Sequence, residues 1–308
     1  MRPIQSSLML VLTALIWGLS FVAQSVGMEY VGPFTFNCVR SVIGGLVLIP
    51  CIFLLDRFGG KSVPVSGSRE RFRLVPGASS ERRTLLVGGI SCGVVLAIAS
   101  SLQQFGIMYT TVGKAGFITA LYIIIVPIFG LFFKKRVPMM VWISVAVAVA
   151  GMYLLCITED FRIGKGDVLV LLCAFAFSIH ILLIDHFSSH VDGIRMSCLQ
   201  FLTCGILCGI CMFLFESPSP QSILTAWLPI LYAGVLSCGV AYTLQIVAQQ
   251  HVEPTVASLI LSLESVFATI FGWLILGQAL SMKELFGCLL VFCAIILAQL
   301  PQPRKNGL

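Results

Sequence analysis

Two residues of opposite charge stand inside long apolar segments of this chain. Arg40 lies seven residues into one such segment, and Glu264 lies well inside another. A charged side chain at the centre of a membrane-spanning helix costs about 2.5–3.5 kcal/mol on insertion scales, so it normally faces a cavity or a partner. The pair could hold a zwitterionic solute, or Glu264 could accept and release a proton. The alternative is that both are structural ions, with Arg40 extending towards the outer membrane surface.

Other polar and aromatic side chains occur at similar depth. His180 is more readily interpreted as a neutral imidazole bonded to a neighbouring helix than as a proton relay. The glutamine amides either link helices by hydrogen bonds or recognise a solute. The indole and phenol rings either pack or line a cavity with an apolar face and a polar edge. The predicted solute pathway consists of Trp17, Arg40, Gln103, Tyr122, His180, Gln200, Tyr242 and Glu264, with Gln245 as a further amide.

Two patterns imitate metal-binding or catalytic motifs. Cys204, Cys208 and Cys211 share one helical face, but no histidine or carboxylate in that helix completes a metal site. His180 and Asp185 have the spacing of an acyltransferase active site, although the residues between them are apolar and general-base chemistry needs an accessible pair. We therefore predict no catalytic residue, no metal and no cofactor. A membrane-embedded lipid-modifying enzyme that uses His180 and Asp185 remains the alternative.

The composition indicates which elements must position these residues. Of the 308 residues, 58% are hydrophobic and 10% are charged, against about 25% charged in soluble proteins. A bilayer core about 30 Å thick is crossed by about 20 apolar residues in a helix. The sequence therefore predicts an all-α integral membrane protein with ten transmembrane helices, at 6–26, 33–55, 85–108, 115–133, 138–157, 168–184, 196–215, 226–248, 256–276 and 285–300.

Basic residues are distributed unevenly between the connecting segments. With the N-terminus in the cytoplasm, the cytoplasmic segments hold fourteen Lys and Arg and the outside loops hold four; seven of the fourteen lie in the polar loop 56–84. This bias predicts that both termini are cytoplasmic. Because these residues flank apolar segments and do not form one solvated face, we expect no nucleic-acid partner.

The two halves of the chain resemble each other. The segment from Gly32 to Arg40 parallels the segment from Asp192 to Gln200 at an offset of 160, and Tyr122 matches Glu264 at an offset of 142. An odd number of spans per half makes the second half enter the membrane from the opposite side. We therefore predict two inverted five-helix repeats, 1–157 and 158–308, a basis for alternating access. Pro127 should kink the fourth helix and could serve as a hinge.

An ordered set of short motifs adds a family resemblance. The motifs are Ala14-Leu15-Ile16-Trp17-Gly18 and Val126-Pro127-Ile128-Phe129 in the first half, and Ala257-Ser258-Leu259, Leu263-Glu264-Ser265-Val266 and Gly272-Trp273-Leu274 in the second. Over essentially the whole chain, this set resembles the EamA-type family of the drug/metabolite transporter superfamily. The chain departs from the family pattern at Ser265, where proline is usual, and at Arg136 and Gln278, where glutamate is common.

The resemblance implies a central cavity between the two repeats, with spans five and ten at the periphery. It also implies movement of amino acids, metabolites or toxic compounds, often outward. We therefore expect a multi-pass transporter of small organic solutes in the plasma (inner) membrane of a bacterial-type cell, an exporter that works by alternating access. We expect it to contact the lipid bilayer. The sequence leaves its oligomeric state open, with a homodimer as one alternative. A non-transporting membrane scaffold is the remaining alternative.

Overall fold

The computed structural model describes residues 3–58, 78–132, 137–156, 164–277 and 281–299. Every regular element in these ranges is helical. The helices are α1 (Pro3–Gly27), α2 (Pro33–Phe58), α3 (Ala78–Ile107), α4 (Val112–Ala120), α5 (Tyr122–Phe132), α6 (Met139–Cys156), α7 (Lys165–Ser188), α8 (Gly193–Phe215), α9 (Pro220–Thr225), α10 (Trp227–Leu231), a π-helical segment (Tyr232–Ala241), α11 (Tyr242–Gln249), α12 (Pro254–Leu261), α13 (Leu263–Leu276) and α14 (Met282–Gln299).

Eight stretches of the described chain are long and apolar enough to cross a membrane. They are Ile4–Gly27, Pro33–Leu54, Glu81–Ile107, Val112–Phe132, Lys165–Ser188, Gly193–Phe215, Trp227–Gln249 and Pro254–Leu276. The predicted fifth and tenth spans coincide with shorter apolar stretches, Met139–Gly151 and Leu285–Leu297. Large apolar side chains such as Phe132, Phe213 and Met282 are exposed on the outside of the helices, as a lipid solvent permits. The protein is a multi-pass membrane protein, and the number of ten spans stays a prediction.

Some predicted boundaries were wrong. Helix α7 is longer than the predicted span 168–184, because polar residues at both ends continue the helix beyond the apolar run. Helix α3 begins at Ala78, inside the predicted loop 56–84, and α2 extends into it from the other side. Residues 59–77 of that loop, the predicted repeat boundary at 157 and 158, and the family departures Arg136 and Gln278 lie outside the described residues.

The predicted fourth and ninth spans are each two helices with a break between them. The breaks fall at Leu121, between α4 and α5, and at Ser262, between α12 and α13. At the second break the Ser262 hydroxyl donates to the Leu259 carbonyl at 2.7 Å. The Ser265 hydroxyl donates to the Ser262 carbonyl, also at 2.7 Å. Such bonds bend helices, because a side chain competes for the backbone acceptor.

Pro127 does not lie at the break in its span. It stands inside α5, six residues after Leu121. The helical hydrogen-bond pattern is instead interrupted at Leu121, whose amide bonds to the Ile118 carbonyl three residues back. The role of Pro127 as a hinge stays a prediction.

The predicted eighth span contains a π-helical segment, Tyr232–Ala241, between two α-helical pieces. A π-helix of ten residues is unusual, and short π segments often mark functional sites. The segment packs against α1 and α2. A Cβ built on Gly234 would press on the Ile43 side chain of α2, so glycine permits this close approach.

Close helix packing holds the centre of the bundle together. Helix α8 packs along both α2 and α3, and α7 packs along α3. Gly93 of α3 lies so close to α8 that an added Cβ would meet the Gln200 carbonyl oxygen at 2.7 Å. Gly205 of α8 similarly lies against Val42 of α2. Gly93 and Gly205 therefore permit close helix approach. These contacts fix the helices that carry the polar residues.

Candidate functional site

One face of α1 forms a wall of the central cavity. Trp17, Ser20, Phe21 and Gln24 follow one another at spacings of three, one and three residues, which places them on the same side of a helix. All four line the cavity. The wall combines an indole and a phenyl ring with a hydroxyl and an amide, a mixture that suits an amphipathic solute.

The cavity has a volume of about 30 Å³, room for about two water molecules. Both halves of the chain contribute to it. The first half supplies residues of α1 to α5, and the second half supplies residues of α7, the π-helical segment, α11 and α13. The lining residues are Trp17, Ser20, Phe21, Gln24, Arg40, Gln103, Thr119, Tyr122, Phe177, His180, Ile181, Ser237, Tyr242, Gln245 and Glu264.

Two residues of opposite charge line this cavity without pairing with each other. Arg40 is 6% exposed and Glu264 is 3% exposed. The Arg40 guanidinium carbon stands 5.6 Å from the centre of the Phe36 ring. An ion pair of the described residues lies elsewhere, between Lys114 and Asp167 at 2.6 Å. Buried charges normally find a partner, so the cavity offers a cation and a carboxyl group to whatever enters it.

The helix breaks place Tyr122 and Glu264 beside each other. Tyr122 is the first residue of α5, and Glu264 is the second residue of α13. A carboxylate in the first turn of a helix is favoured by the helix dipole. The Tyr122 hydroxyl faces the Glu264 carboxyl group without completing a hydrogen bond of good geometry. Both groups therefore remain available to a third hydrogen-bonding group in the cavity.

His180 is held by an amide on the neighbouring helix. The distance from its Nε2 to Gln200 Oε1 is 3.1 Å, and Gln200 is fully buried. The His180 ring also meets the Tyr242 ring edge-on, with ring centres 5.9 Å apart. Tyr242 in turn lies 4.6 Å from Trp17, measured between ring centres. The three rings thus form an aromatic cluster that joins α1, α7 and α11 on one side of the cavity.

Half of the buried polar atoms without a hydrogen-bond partner in the described protein belong to residues that line the cavity. They belong to seven of its lining residues: Trp17 Nε1, Gln24 Oε1, Arg40 Nε, the Tyr122 hydroxyl, His180 Nδ1, Gln245 Oε1 and Glu264 Oε1. Buried polar groups are satisfied in most proteins, and each exception needs an explanation. Seven of the fourteen such atoms among the described residues belong to the lining of this cavity, which therefore is rich in polar groups without a protein partner.

The structure brings together most of the predicted pathway residues. Seven of the eight line the cavity, and Gln200 instead supports His180 from behind. Their part in solute movement stays a prediction. Sequence reasoning missed Ser20, Gln24, Thr119 and Ser237. The spacing of Ser20 and Gln24 from Trp17, on one helical face, was the signal that could have identified the first two.

The residues of the enzyme alternative are not joined into a site. His180 Nε2 contacts Gln200, and Asp185 does not line the cavity. Five residues along a helix are 140° apart around its axis, so the two side chains leave α7 on different sides. Cys204, from the other imitated motif, accepts a hydrogen bond from the Ser41 hydroxyl at 3.4 Å and packs between helices.

These features define a class: a multi-pass α-helical membrane protein with a polar cavity buried between the two halves of its chain. The chain belongs to the EamA-like transporter family, whose sequence model matches residues 5–157 and 164–300. It is a membrane transporter that contacts the lipid bilayer and small solutes.

Individual relatives agree with this assignment. An uncharacterized transporter of Archaeoglobus fulgidus is 28% identical over 305 residues, which covers 97% of this chain and 87% of the relative. The uncharacterized transporter YoaV of Bacillus subtilis is 22% identical over 298 residues, which covers 95% of this chain and 96% of the relative. A solved crystal structure superposes with a TM-score of 0.74 over 96% of each chain, at 19% identity. This last likeness shows the fold alone.

Proposed function

We propose that this protein exports a small zwitterionic organic solute by alternating access between two inverted five-helix repeats. The observation that carries the proposal is the buried cavity at the seam of the two halves, where Arg40 and Glu264 face the same space without pairing. A transporter needs a site that both halves share, because the site must be opened first from one side and then from the other.

The pattern of helix packing supports the inverted repeat. Helix α2 packs along α8, and α6 along α14, which are corresponding helices of the two halves. Helix α1 packs on α13, and its counterpart α7 packs on α4 and α5. Helix α3 packs on α8, and its counterpart, the π-helical segment, packs on α2. An exchange of the halves therefore maps this set of contacts onto itself, as a two-fold axis in the membrane plane requires.

The broken helices also support a transport function. Secondary transporters commonly form their solute sites from discontinuous helices near the membrane midplane. Here the breaks at Leu121 and Ser262 are 141 residues apart, within one residue of the repeat offset of 142 in this region. A polar side chain that follows each break, Tyr122 or Glu264, lines the cavity.

The polar groups suggest the chemical class of the solute. A carboxylate would satisfy Arg40, since guanidinium binds carboxylates strongly and in a fixed orientation. An ammonium group would satisfy Glu264 and the Tyr122 hydroxyl. The rings of Trp17 and Tyr242 would cover an apolar part of the same molecule. This arrangement favours amino acids over sugars or permanently cationic drugs.

Outward movement, the inner membrane of a bacterial-type cell and cytoplasmic termini complete the proposal. The family resemblance supports the direction, and the fourteen-to-four distribution of basic residues supports the orientation. In this orientation the connections after α1 and α8 lie on the outside. No catalytic role is proposed, because His180 and Asp185 form no pair.

Counterflow in proteoliposomes tests the transport function and the solute class together. Vesicles are preloaded with an unlabelled solute and diluted into its labelled form, using neutral amino acids, organic acids, amines and sugars in turn. We expect accumulation of neutral amino acids. Glu264→Gln should reduce the initial rate at least about tenfold, because a lost charged hydrogen bond costs roughly 1.5–3 kcal/mol.

The matched control is Asp192→Asn. It replaces a carboxylate by its amide at the exposed start of α8, outside the cavity, and asparagine caps helices as well as aspartate does. We expect this variant to transport normally. Unchanged counterflow in Glu264→Gln would remove this residue from the mechanism, and no counterflow of any solute by the unaltered protein would overturn the proposed function.

A further inference from the structure

Glu216, at the end of α8, caps the beginning of α2. Its carboxylate accepts hydrogen bonds from the backbone amides of Phe34 and Thr35, both at 2.8 Å. The Thr35 hydroxyl donates to the same carboxylate at 2.6 Å. The partners are more than 180 residues apart in the chain, and α2 and α8 belong to different halves. We refer to these three hydrogen bonds as the Glu216 cap.

The beginning of α2 lacks a cap of its own. In α8 the equivalent position holds Asp192, whose side chain accepts from the Arg195 amide at 2.8 Å. Subtracting the repeat offset of 160 places Gly32 and Thr35 at these two positions. Gly32 has no side chain, and a Cβ built on it would overlap the Glu216 carboxyl group. The cap that α8 makes locally is thus supplied to α2 from the other half.

The Glu216 cap lies at the beginning of the helix that carries Arg40 into the cavity lining. Phe34 packs between Phe105 of α3, with ring centres 5.1 Å apart, and Phe215 of α8, at 6.0 Å. Beyond Phe34, the same helix carries Phe36 and then Arg40, which lines the cavity. The contact therefore fixes the beginning of α2 against the end of α8, beside the contact of Phe34 with Phe215.

We propose that Glu216 is a positioning residue whose cap, by holding the beginning of α2 against α8, closes the path to the cavity from this side, and that the cap must break and re-form in each transport cycle. The proposal rests on the transport function proposed above. A charged acceptor at a helix N-terminus holds the contact firmly, since it satisfies amides that have no partner within the helix. A local cap on Gly32 would satisfy the same amides without joining the two halves.

Moving the cap from the other half into α2 tests this proposal. Glu216→Ala removes the cap, and the double variant Gly32→Asp with Glu216→Ala rebuilds it locally, in the arrangement that Asp192 has in α8. Each protein is reconstituted, and its unfolding temperature and its counterflow of labelled neutral amino acids are measured. Glu216→Gln, which retains one acceptor oxygen, serves as a milder second variant.

We expect the double variant to recover the unfolding temperature of the unaltered protein but to stay slow. Its counterflow should remain reduced about fivefold, because a cap is worth roughly that factor in the equilibrium between closed and open states. Asp192→Ala is the matched control. It removes a cap that lies within one half of the chain. The unfolding temperature should therefore fall, while counterflow per folded molecule stays normal.

The outcomes separate a structural role from a role in transport. Normal counterflow in the double variant, or in Glu216→Ala itself, would show that Glu216 is only a helix cap and would overturn the proposal. Loss of counterflow in Asp192→Ala would overturn it as well, because removal of a cap within one half would then impair transport as much as removal of the cap between the halves. If the unaltered protein shows no counterflow, the proposed function fails, and this inference fails with it.

Discussion

At the scale of single residues, the amide of Gln200 shows how a side chain outside the cavity can shape it. Its oxygen holds His180 Nε2, which leaves Nδ1 of the ring among the unpaired atoms of the cavity. If Nε2 carries the proton that Gln200 Oε1 accepts, then Nδ1 presents a lone pair to a solute. Gln200 thereby controls both the orientation of the imidazole and the kind of group that it can bind.

Gln200→Leu should therefore impair transport although Gln200 does not touch the solute. The substitution leaves a buried ring nitrogen without a partner, at a cost of about 1–3 kcal/mol in the free energy of unfolding. The His180 ring is then free to turn, and we expect counterflow to fall several-fold. Thermal unfolding and counterflow of neutral amino acids measure the two effects.

Gln249→Leu is a suitable control for this prediction. Gln249 is an equally buried glutamine that donates a hydrogen bond of 3.3 Å, but its acceptor is the backbone carbonyl of Ile181. No cavity side chain depends on it for its orientation. Equal losses of counterflow in both variants would contradict a specific role for the Gln200–His180 contact.

At the residue scale the sequence was informative because polar side chains are costly in lipid. Arg40, His180 and Glu264 were identified since a charged or titratable group in an apolar segment needs a reason. Serines and threonines such as Ser237 and Thr119 were missed, because a hydroxyl group can bond to the backbone of its own helix at little cost, so its presence in a span is a weak signal. Glu216 was missed because its partners come from a helix that no local pattern connects to it.

At the scale of helices, the apolar runs predicted most spans but not their internal breaks. A break is normally signalled by proline or glycine, and neither Leu121 nor Ser262 is such a residue. The π-helical segment also carries no local signal, because it depends on the packing of Gly234 against α2. These irregular elements place Tyr122, Ser237 and Glu264 in the cavity, so the features that shape the site were the least predictable ones.

Helix packing makes a prediction for Gly93. A methyl group at this position would press on the Gln200 carbonyl of α8, and backbone atoms cannot move aside as a side-chain end can. Gly93→Ala should therefore lower the free energy of unfolding by about 1–3 kcal/mol, the usual cost of overpacking. Thermal unfolding of the purified protein in detergent measures the change.

Gly130→Ala provides the comparison. Gly130 also lies in a helix, but a Cβ built there meets no atom within 4 Å. We expect this variant to be as stable as the unaltered protein, or slightly more stable, because alanine favours the helix. If Gly93→Ala and Gly130→Ala unfold at the same temperature, the close packing of α3 on α8 does not contribute as described.

At the scale of the whole molecule, the two halves are similar in packing but not identical in detail. Helices exchange partners as an inverted repeat requires, yet α8 is capped by its own Asp192 while α2 is capped by Glu216 of the other half. The charges in the cavity are also unequal, since Arg40 comes from the first half and Glu264 from the second. In the mechanism that we propose, these differences would make the two ends of the solute path differ in how firmly they close.

The most direct measurement of the central claim is the membrane sidedness of the two halves. Reporter tags inserted at residues 66–68 and at residues 217–222 mark the segment after the second predicted span and the segment after the seventh. Two inverted repeats place these tags on opposite sides of the membrane, with 66–68 in the cytoplasm and 217–222 outside. Both tags on one side would contradict the inverted repeat and the alternating-access mechanism built on it.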